Sequence, residues 1–156
     1  MKNLTFKIII PLTVISFAVF TKWWYALPVD APDTMFRGFP LAYACDGWHT
    51  SLSLQIFVTE FIVDILIYFV FWFIFVFCID RFLIKIKTHK WVTRGLWTIS
   101  GLIIVWGIFL AINFGNNVFY IKRPFKMQVG KTGYHFIWQK IERPDYYECF
   151  PEEKSY

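Results

Sequence analysis

The feature that most limits the fold is an almost uninterrupted apolar segment of about 28 residues, from Leu52 to Ile79. A bilayer hydrocarbon core of about 30 Å needs roughly 20 helical residues, so this segment is long enough to cross a membrane. A soluble domain of 156 residues hides only about 70% of its surface, too little for eight Trp, eight Tyr and nineteen Phe. The segment therefore predicts an integral membrane protein.

Two further apolar segments extend this prediction to a bundle. One covers residues 6–25 and ends in Trp23-Trp24-Tyr25, an aromatic group typical of a membrane interface. The other covers residues 96–114 and ends at polar residues and Gly115, which indicate a helix stop. We therefore predict an all-α membrane protein, with three transmembrane helices at about 6–25, 54–79 and 96–114 forming a bundle over residues 1–117.

The distribution of basic residues predicts the orientation. Segment 21–52 holds only two cations, whereas segment 80–95 holds five: Arg81, Lys85, Lys87, Lys90 and Arg94. The positive-inside rule then places the N-terminus and segment 80–95 in the cytoplasm, with the long 21–52 loop and the C-terminus outside. The first apolar segment also resembles a signal peptide, but the residues after it offer no small-residue cleavage site except near Ala26. The four cations between Lys122 and Lys131 disagree with an outside tail.

The residues outside the three segments predict little regular structure. Prolines and glycines in segment 21–52 argue against a single element and indicate a long extracytoplasmic loop. In the tail, residues 118–156, apolar positions alternate on both sides of the run Gly130 to Gly133. Such alternation around a turn predicts a β-hairpin over residues 120–141.

The three cysteines leave one structural question open. Two spans separate Cys45 from Cys149, so a three-span chain carries both on the same side of the membrane. On an oxidising side they form either a disulfide or two free thiols, and the sequence does not decide between them. Cys78 lies within the second span as a small hydrophobe. No Cys-X-X-Cys pair is present, which argues against a thiol oxidoreductase.

A metal site is the chemical alternative for the same loop. Cys45, Asp46, His49 and His135 are ligand types, but their spacing matches no zinc signature. We therefore predict no metal and no cofactor. The segment from Asp46 to His49 is better explained as the entry to the second span.

The second span carries a stripe of polar side chains. On a helical wheel four residues fall within an arc of about 80°: Ser53, Glu60, Asp64 and Tyr68. Glu60 lies near the outer edge of the hydrocarbon and Asp64 is roughly 6 Å deeper. Two explanations stay open, since carboxylates inside a membrane are costly. One is a structural hydrogen bond within the bundle, and the other is a functional role, as an ion or proton path or as the docking site of a cationic residue from another subunit.

The third span carries a stripe of small side chains at offsets of seven, four and four: Ser100, Gly107, Ala111 and Gly115. Small residues at such positions let a second helix approach closely. The stripe therefore predicts a helix-packing surface on this span.

Residues 37–81 contain a recognisable pattern. The string RGFPLAY, a polar turn with a serine, an aromatic-rich helix with an early acidic residue, and the exit Asp80-Arg81 follow one another. This pattern resembles a loose group of small, uncharacterised bacterial multi-span membrane proteins. The resemblance implies a bacterial cytoplasmic (inner) membrane location and implies no activity or site residue.

These features favour a protein that works by association, as an accessory subunit or assembly factor with a membrane-protein partner or a second copy. The alternative is a transport or proton-coupling component that uses Glu60 and Asp64. An enzyme built on Asp46, His49 or His135 is disfavoured, because no nucleophile, oxyanion donor set or metal motif accompanies them. The net charge of +5 does not predict nucleic-acid binding, since the cations cluster beside the apolar segments.

Overall fold

A computed structural model describes residues 2–29, 31–48, 53–113 and 117–151. The helices are α1 (Lys2–Leu4), α2 (Ile10–Val19), α3 (Val58–Cys78), α4 (Lys90–Asn113) and α5 (Tyr146–Cys149), with π-helical segments at Thr5–Ile9 and Ile79–Leu83. The chain divides into two units. The helical unit comprises residues 1–19 and 65–113, and the β unit comprises residues 20–64 and 114–156.

Within the helical unit, side chains of α4 donate hydrogen bonds to the backbone of α2 and of the π-helical segment before it. Ser100 is buried and donates to the carbonyl oxygen of Pro11 at 3.1 Å. The indole Nε1 of Trp97 donates to the carbonyl oxygen of Phe6 at 3.0 Å. Pro11 has no N–H and crowds the preceding turn, which explains the π-helical geometry of Thr5–Ile9 just before it. The wider turn leaves carbonyl groups for α4 to bind.

The same helix contacts α3. Trp72 donates from Nε1 to the hydroxyl oxygen of Ser16 at 2.8 Å. The rings of Phe17 and Tyr68 meet edge to face, with centroids 5.6 Å apart. Helix α2 therefore holds both longer helices through aromatic and hydroxyl groups.

Two helical segments are long and apolar enough to cross a membrane: Val58–Leu83 and Lys90–Ile112. A core helix of a soluble protein would be mostly buried, yet only 17% and 6% of their most apolar stretches are buried. The shorter apolar helix covers Thr5–Val19. Length and composition alone support these assignments.

The β unit is a six-stranded mixed sheet with the order β5-β4-β3-β2-β1-β6. Its strands are β1 (Phe20–Pro28), β2 (Thr34–Arg37), β3 (Ala44–Asp46), β4 (Leu54–Phe57), β5 (Val118–Tyr120) and β6 (Met127–Phe136). Strands β1 to β4 form an antiparallel meander. β5 adds parallel to β4, and β6 adds antiparallel to β1.

One face of this sheet carries the apolar core. Its buried residues come from the four strands of the meander and from the loop after β2: Ala26, Phe36, Ala42, Cys45 and Phe57. The rings of Phe36 and Phe57 stack with centroids 6.4 Å apart, and Phe125 packs against both. These positions alternate along their strands, as a sheet with one packed face requires.

The opposite face is covered by the C-terminal segment. Tyr25 is completely buried there, and its ring lies 5.9 Å from that of Phe150. The carboxylate of Asp33 accepts hydrogen bonds from the phenol of Tyr25 and the guanidinium of Arg143. Residues from β1, the following turn and the C-terminal segment are thereby joined.

The predicted all-α class is wrong, because the chain is mixed α/β. Residues 20–25, predicted to end the first span, form β1, and residues 54–57, predicted to begin the second, form β4. The segment 21–52, predicted to be an irregular loop, contributes β2 and β3 as well. Aromatic and β-branched residues favour strands when neighbouring strands pair with them, and those neighbours are distant in sequence.

The predicted hairpin over residues 120–141 is also replaced. Gly130 and Gly133 lie inside one continuous strand, β6, and not in a turn. This strand pairs with β1 from Met127 opposite Pro28 to Phe136 opposite Phe20, with a register shift at Gly130, between Tyr25 and Ala26 of β1. Gly133 lies opposite Trp23, where a Cβ atom would come within 2.7 Å of the indole ring. Its lack of a side chain accommodates that ring.

Candidate functional site

The most unusual polar group of the β unit is the carboxylate of Asp64, in the second turn of α3. Its side chain is completely buried. The oxygen Oδ1 accepts a hydrogen bond from the backbone N–H of Leu41 at 3.0 Å. A buried carboxylate is costly unless it is hydrogen-bonded, so this contact offsets part of the cost.

The loop that supplies this donor follows β2 and is tightly folded. Gly38 has a φ of +148°, and a Cβ atom there would lie 1.9 Å from the carbonyl oxygen of Leu41. Its N–H donates to the carbonyl of Lys22 at 2.9 Å, and its carbonyl accepts from Nε1 of Trp24 at 3.0 Å. Only glycine fits this position, and the turn it permits aims the N–H of Leu41 at Asp64.

Glu60 lies one turn before Asp64 and has a similar arrangement. Its Oε1 accepts from the backbone N–H of Arg123 at 3.4 Å. The second oxygen of each carboxylate, Oε2 of Glu60 and Oδ2 of Asp64, is buried without a hydrogen bond. The Asp64 carboxylate is therefore held by the backbone of Phe39 and Leu41, and the Glu60 carboxylate by the backbone of Arg123.

A cleft of about 190 Å³ lies on the same unit. Its polar lining consists of Arg37, Tyr43 and Asp46, and its apolar lining includes Phe61. Burial, followed by the negative charge of Asp64, raises the pKa of Tyr43 to about 12. The phenol is therefore protonated at neutral pH and serves as a hydrogen-bond donor or acceptor, not as a base.

The described residues contain no group of three or more His, Cys, Asp or Glu that could hold a metal ion. The lining of the cleft includes one cation, Arg37, and one carboxylate, Asp46. His49 lies outside the described residues. His135 lines a separate surface cleft with Trp23 and Tyr134.

The four residues of the predicted polar stripe do not all lie on one helix. Glu60 and Asp64 share a face of α3 near its start, as predicted. Ser53 precedes β4 and is not helical, so the helical-wheel argument does not apply to it. Tyr68 is buried in the helical unit against Phe17.

The predicted small-residue stripe of α4 has different surroundings along its length. Ser100 contacts Pro11 of α2. Gly107 is exposed, and a Cβ atom there would meet no other atom within 4 Å. Ala111 is half-buried, and Gly115 lies outside the described residues.

Cys45 and Cys149, for which the sequence left a disulfide and two free thiols open, are both free thiols, as is Cys78. Cys45 belongs to the buried core of the sheet. Burial, with a smaller contribution from the charge of Asp46, raises the pKa of Cys45 to about 12. Its thiol is therefore chemically inert at neutral pH.

The sequence alone did not single out Leu41, Arg123 or the Asp33 and Arg143 pair. The first two act through backbone N–H groups, which carry no side-chain signature. Asp33 and Arg143 are 110 positions apart, so no local spacing connects them. Comparison of the chain with protein-family models, curated proteins and solved structures finds no match.

Proposed function

We propose that the chain is an integral membrane protein that works by association, as an accessory subunit or assembly factor of a membrane complex. The observation that carries this proposal is the exposed apolar surface of α4. Among the eight residues from Leu102 to Phe109, six are exposed large hydrophobics: Leu102, Ile104, Val105, Trp106, Ile108 and Phe109. A helix that is apolar on all sides belongs in a protein core or in lipid, and this one is not in a core.

The β unit supports a location on one side of that membrane. β1 and β4 precede the two long apolar helices, and β5 and β6 follow them. Because these strands share one sheet, residues 20–57 and 118–136 belong on the same side. The resemblance of residues 37–81 and the basic segment 80–95 favour a bacterial inner membrane, with the N-terminus inside and this sheet outside.

The geometry of the carboxylates favours a structural role within the chain over transport. Glu60 and Asp64 each accept from the backbone of a loop of the β unit, which is the arrangement of an anchor. The orphan oxygens Oε2 and Oδ2 support proton coupling as the second candidate. The two candidates differ in whether the carboxylate charge itself is needed.

The first experiment separates membrane insertion from peripheral binding. Membranes from cells that express the full chain are washed with alkaline carbonate, and we expect the protein to stay in the pellet until detergent is added. Recovery in the carbonate supernatant would contradict the proposal.

The second experiment tests association with a matched pair of variants. Gly107→Leu and Gly95→Leu both place a side chain into open space on α4, so neither strains the chain itself. If another membrane helix approaches the small residue at 107, Gly107→Leu loses the co-purifying partner in mild detergent and Gly95→Leu retains it. A monomer without any partner in the unmodified protein would argue against association.

A further inference from the structure

The first strand of the β unit extends beyond the meander. β1 pairs with β2 only from Trp23 onward, whereas it pairs with β6 from Phe20 onward. Residues 20–22 and 134–136 therefore form a two-stranded ribbon. Phe20 lies opposite Phe136, and Lys22 lies opposite Tyr134.

This ribbon carries a cluster of stacked rings, which we call the aromatic ribbon: Phe20, Phe39, Tyr134, Phe136 and Trp138. Phe20 stacks on Tyr134 with centroids 5.7 Å apart, and Phe39 meets both rings edge to face. Phe136 stacks on Trp138 at 4.9 Å with the planes almost parallel. The stacking fixes a broad aromatic surface.

The outer part of the aromatic ribbon is open. Tyr134 is 59% exposed and Trp138 is 70% exposed, and the intervening Ile137 is 66% exposed. The ammonium group of Lys22 lies 3.6 Å from the ring centroid of Trp24 and 5.8 Å from that of Tyr134. Amphipathic rings beside a lysine are the composition of a membrane–water interface.

The peptide bond between Val19 and Phe20 links the aromatic ribbon directly to α2. Phe20 is bonded to Val19, the last residue of the apolar helix α2. If α2 lies in the hydrocarbon, Phe20 is at its boundary, and the β1/β6 register holds Phe136 beside Phe20. The peptide link and the strand pairing then bring the ring cluster close to the lipid headgroups.

We propose that the aromatic ribbon inserts into the headgroup–acyl boundary of the bilayer that holds the helices, and so binds the β unit to the lipid surface. This inference rests on the proposed membrane location and adds a second, interfacial contact to it. The occupant is phospholipid, recognised by Tyr and Trp at the level of the glycerol groups and by Lys22 at the phosphates. A protein partner seated on the same rings is an outcome of the test.

The experiment measures quenching of tryptophan fluorescence in the full chain reconstituted into phospholipid vesicles. The acyl chains are brominated near the glycerol backbone in one preparation, near their methyl ends in a second to report residues at the depth of Trp106, and unlabelled in a third. Three single variants, each subtracted from the unmodified protein, report one tryptophan apiece: Trp138→Phe for the aromatic ribbon, Trp106→Phe for the exposed face of α4, and Trp48→Phe for a half-buried position after β3. Trp48 packs against Phe125 and donates to Thr34, so it serves as the control held by protein contacts.

We expect the Trp138 component to lose intensity on the order of two-fold in the vesicles brominated near the glycerol backbone, because an interfacial indole contacts that part of the chain. The Trp48 component should stay unchanged. Quenching of Trp106 without quenching of Trp138 would overturn the lipid contact while leaving the membrane proposal standing. That outcome would leave a protein partner as the occupant of the rings. Absence of quenching at both positions would overturn the membrane proposal itself.

Discussion

Arg143 donates from Nη2 to the carboxylate of Asp33 at 2.5 Å and to the carbonyl oxygen of the same residue at 2.9 Å. The two residues are 110 positions apart, so this pair fixes the C-terminal segment to the turn after β1. Beneath it lies the phenol of Tyr25, which shares the carboxylate. The pair therefore holds the C-terminal segment over the face of the sheet on which Tyr25 is buried.

Replacing Arg143 with Ala should loosen the C-terminal segment more than it destabilises the whole chain. The side chain of Arg143 is 60% exposed, so the ion pair contributes about 1 kcal/mol or less to unfolding. We expect faster proteolysis after residue 140 with little change in melting temperature. Lys140→Ala, which changes a neighbouring exposed cation, is the control. Equal proteolysis of both variants would contradict the role of the pair.

The same carboxylate predicts an acid dependence. Burial works to raise the pKa of Asp33, but the hydrogen bonds from Tyr25 and Arg143 outweigh it and hold the pKa below its usual 3.8. A carboxyl group with a lowered folded pKa contributes stability above its unfolded pKa and loses it as the pH falls through the folded pKa. Asp33→Asn should therefore be less stable than the unmodified protein near neutral pH, and the difference should close below about pH 3.8. A difference independent of pH would count against the pairing.

The buried phenol of Tyr25 makes the stability of the fold depend on pH in the alkaline range. Burial and the hydrogen bond to Asp33 raise the pKa of Tyr25 from 10.0 to about 12. A raised phenol pKa stabilises the fold below the unfolded value of 10.0, and that contribution is lost as the pH rises toward 12. The phenolate absorbance of the unmodified protein minus that of Tyr25→Phe should show one group titrating well above the exposed tyrosines. Titration near 10 would mean that the C-terminal segment does not cover this ring.

Gly133 tests the packing of β6 against β1 at a position where the sequence predicted a turn. A Cβ atom at Gly133 meets the indole of Trp23 at 2.7 Å, so Gly133→Val should lower the free energy of unfolding by about 1–3 kcal/mol. Thr132→Val, at an exposed neighbouring position of the same strand, should change it little. A chemical denaturation curve gives both values. Tolerance of Val at 133 would contradict the close approach of Gly133 to the indole of Trp23.

Asp64 separates the two candidate functions. Asp64→Asn keeps an oxygen for the N–H of Leu41, so it should fold, whereas Asp64→Leu leaves that donor unpaired and should lower the amount of folded protein. If the protein works by association, a deletion strain complemented with Asp64→Asn should grow normally. Loss of growth with a normal protein level would favour proton coupling through the carboxylate.

The thiols test both the fold and the orientation. Cys45 lies in the core with its pKa raised to about 12, while Cys149 is only partly buried. An impermeant maleimide added to intact cells should label Cys149 and leave Cys45 unlabelled until the protein is denatured. Labelling of Cys149 only after the inner membrane is opened would reverse the orientation. A bond between the two thiols on a non-reducing gel would contradict the free state.

The sequence predicted the apolar helices better than the sheet, for a physical reason. Residues 65–78 and 96–112 are predictable from their own sequence, because a helix forms its backbone hydrogen bonds between residues four positions apart. The strands form theirs with partners that can lie far along the chain, as β1 does with β6, where Phe20 lies opposite Phe136. Trp23-Trp24-Tyr25 suits a membrane interface and a strand equally well by composition, so only the pairing with β2 and β6 decides.

The candidate site was predictable in part. The four-residue spacing of Glu60 and Asp64 indicated two carboxylates on one helix face, and both lie there in α3. Their partners were not predictable, because the N–H groups of Leu41 and Arg123 belong to backbone that any residue supplies. Gly38 was the closest local signal, since its left-handed φ makes the turn that carries Leu41.

The parallel pairing of β4 with β5 has a consequence for synthesis on the ribosome. Gln55 pairs with Val118, and both long apolar helices are made between them. At about 5–20 residues per second, the nascent chain waits several seconds with the outer edge of β4 unpaired. That edge of β4 is thus open until β5 is made, and a ribosome that stalls after α4 would leave it open to a neighbouring chain.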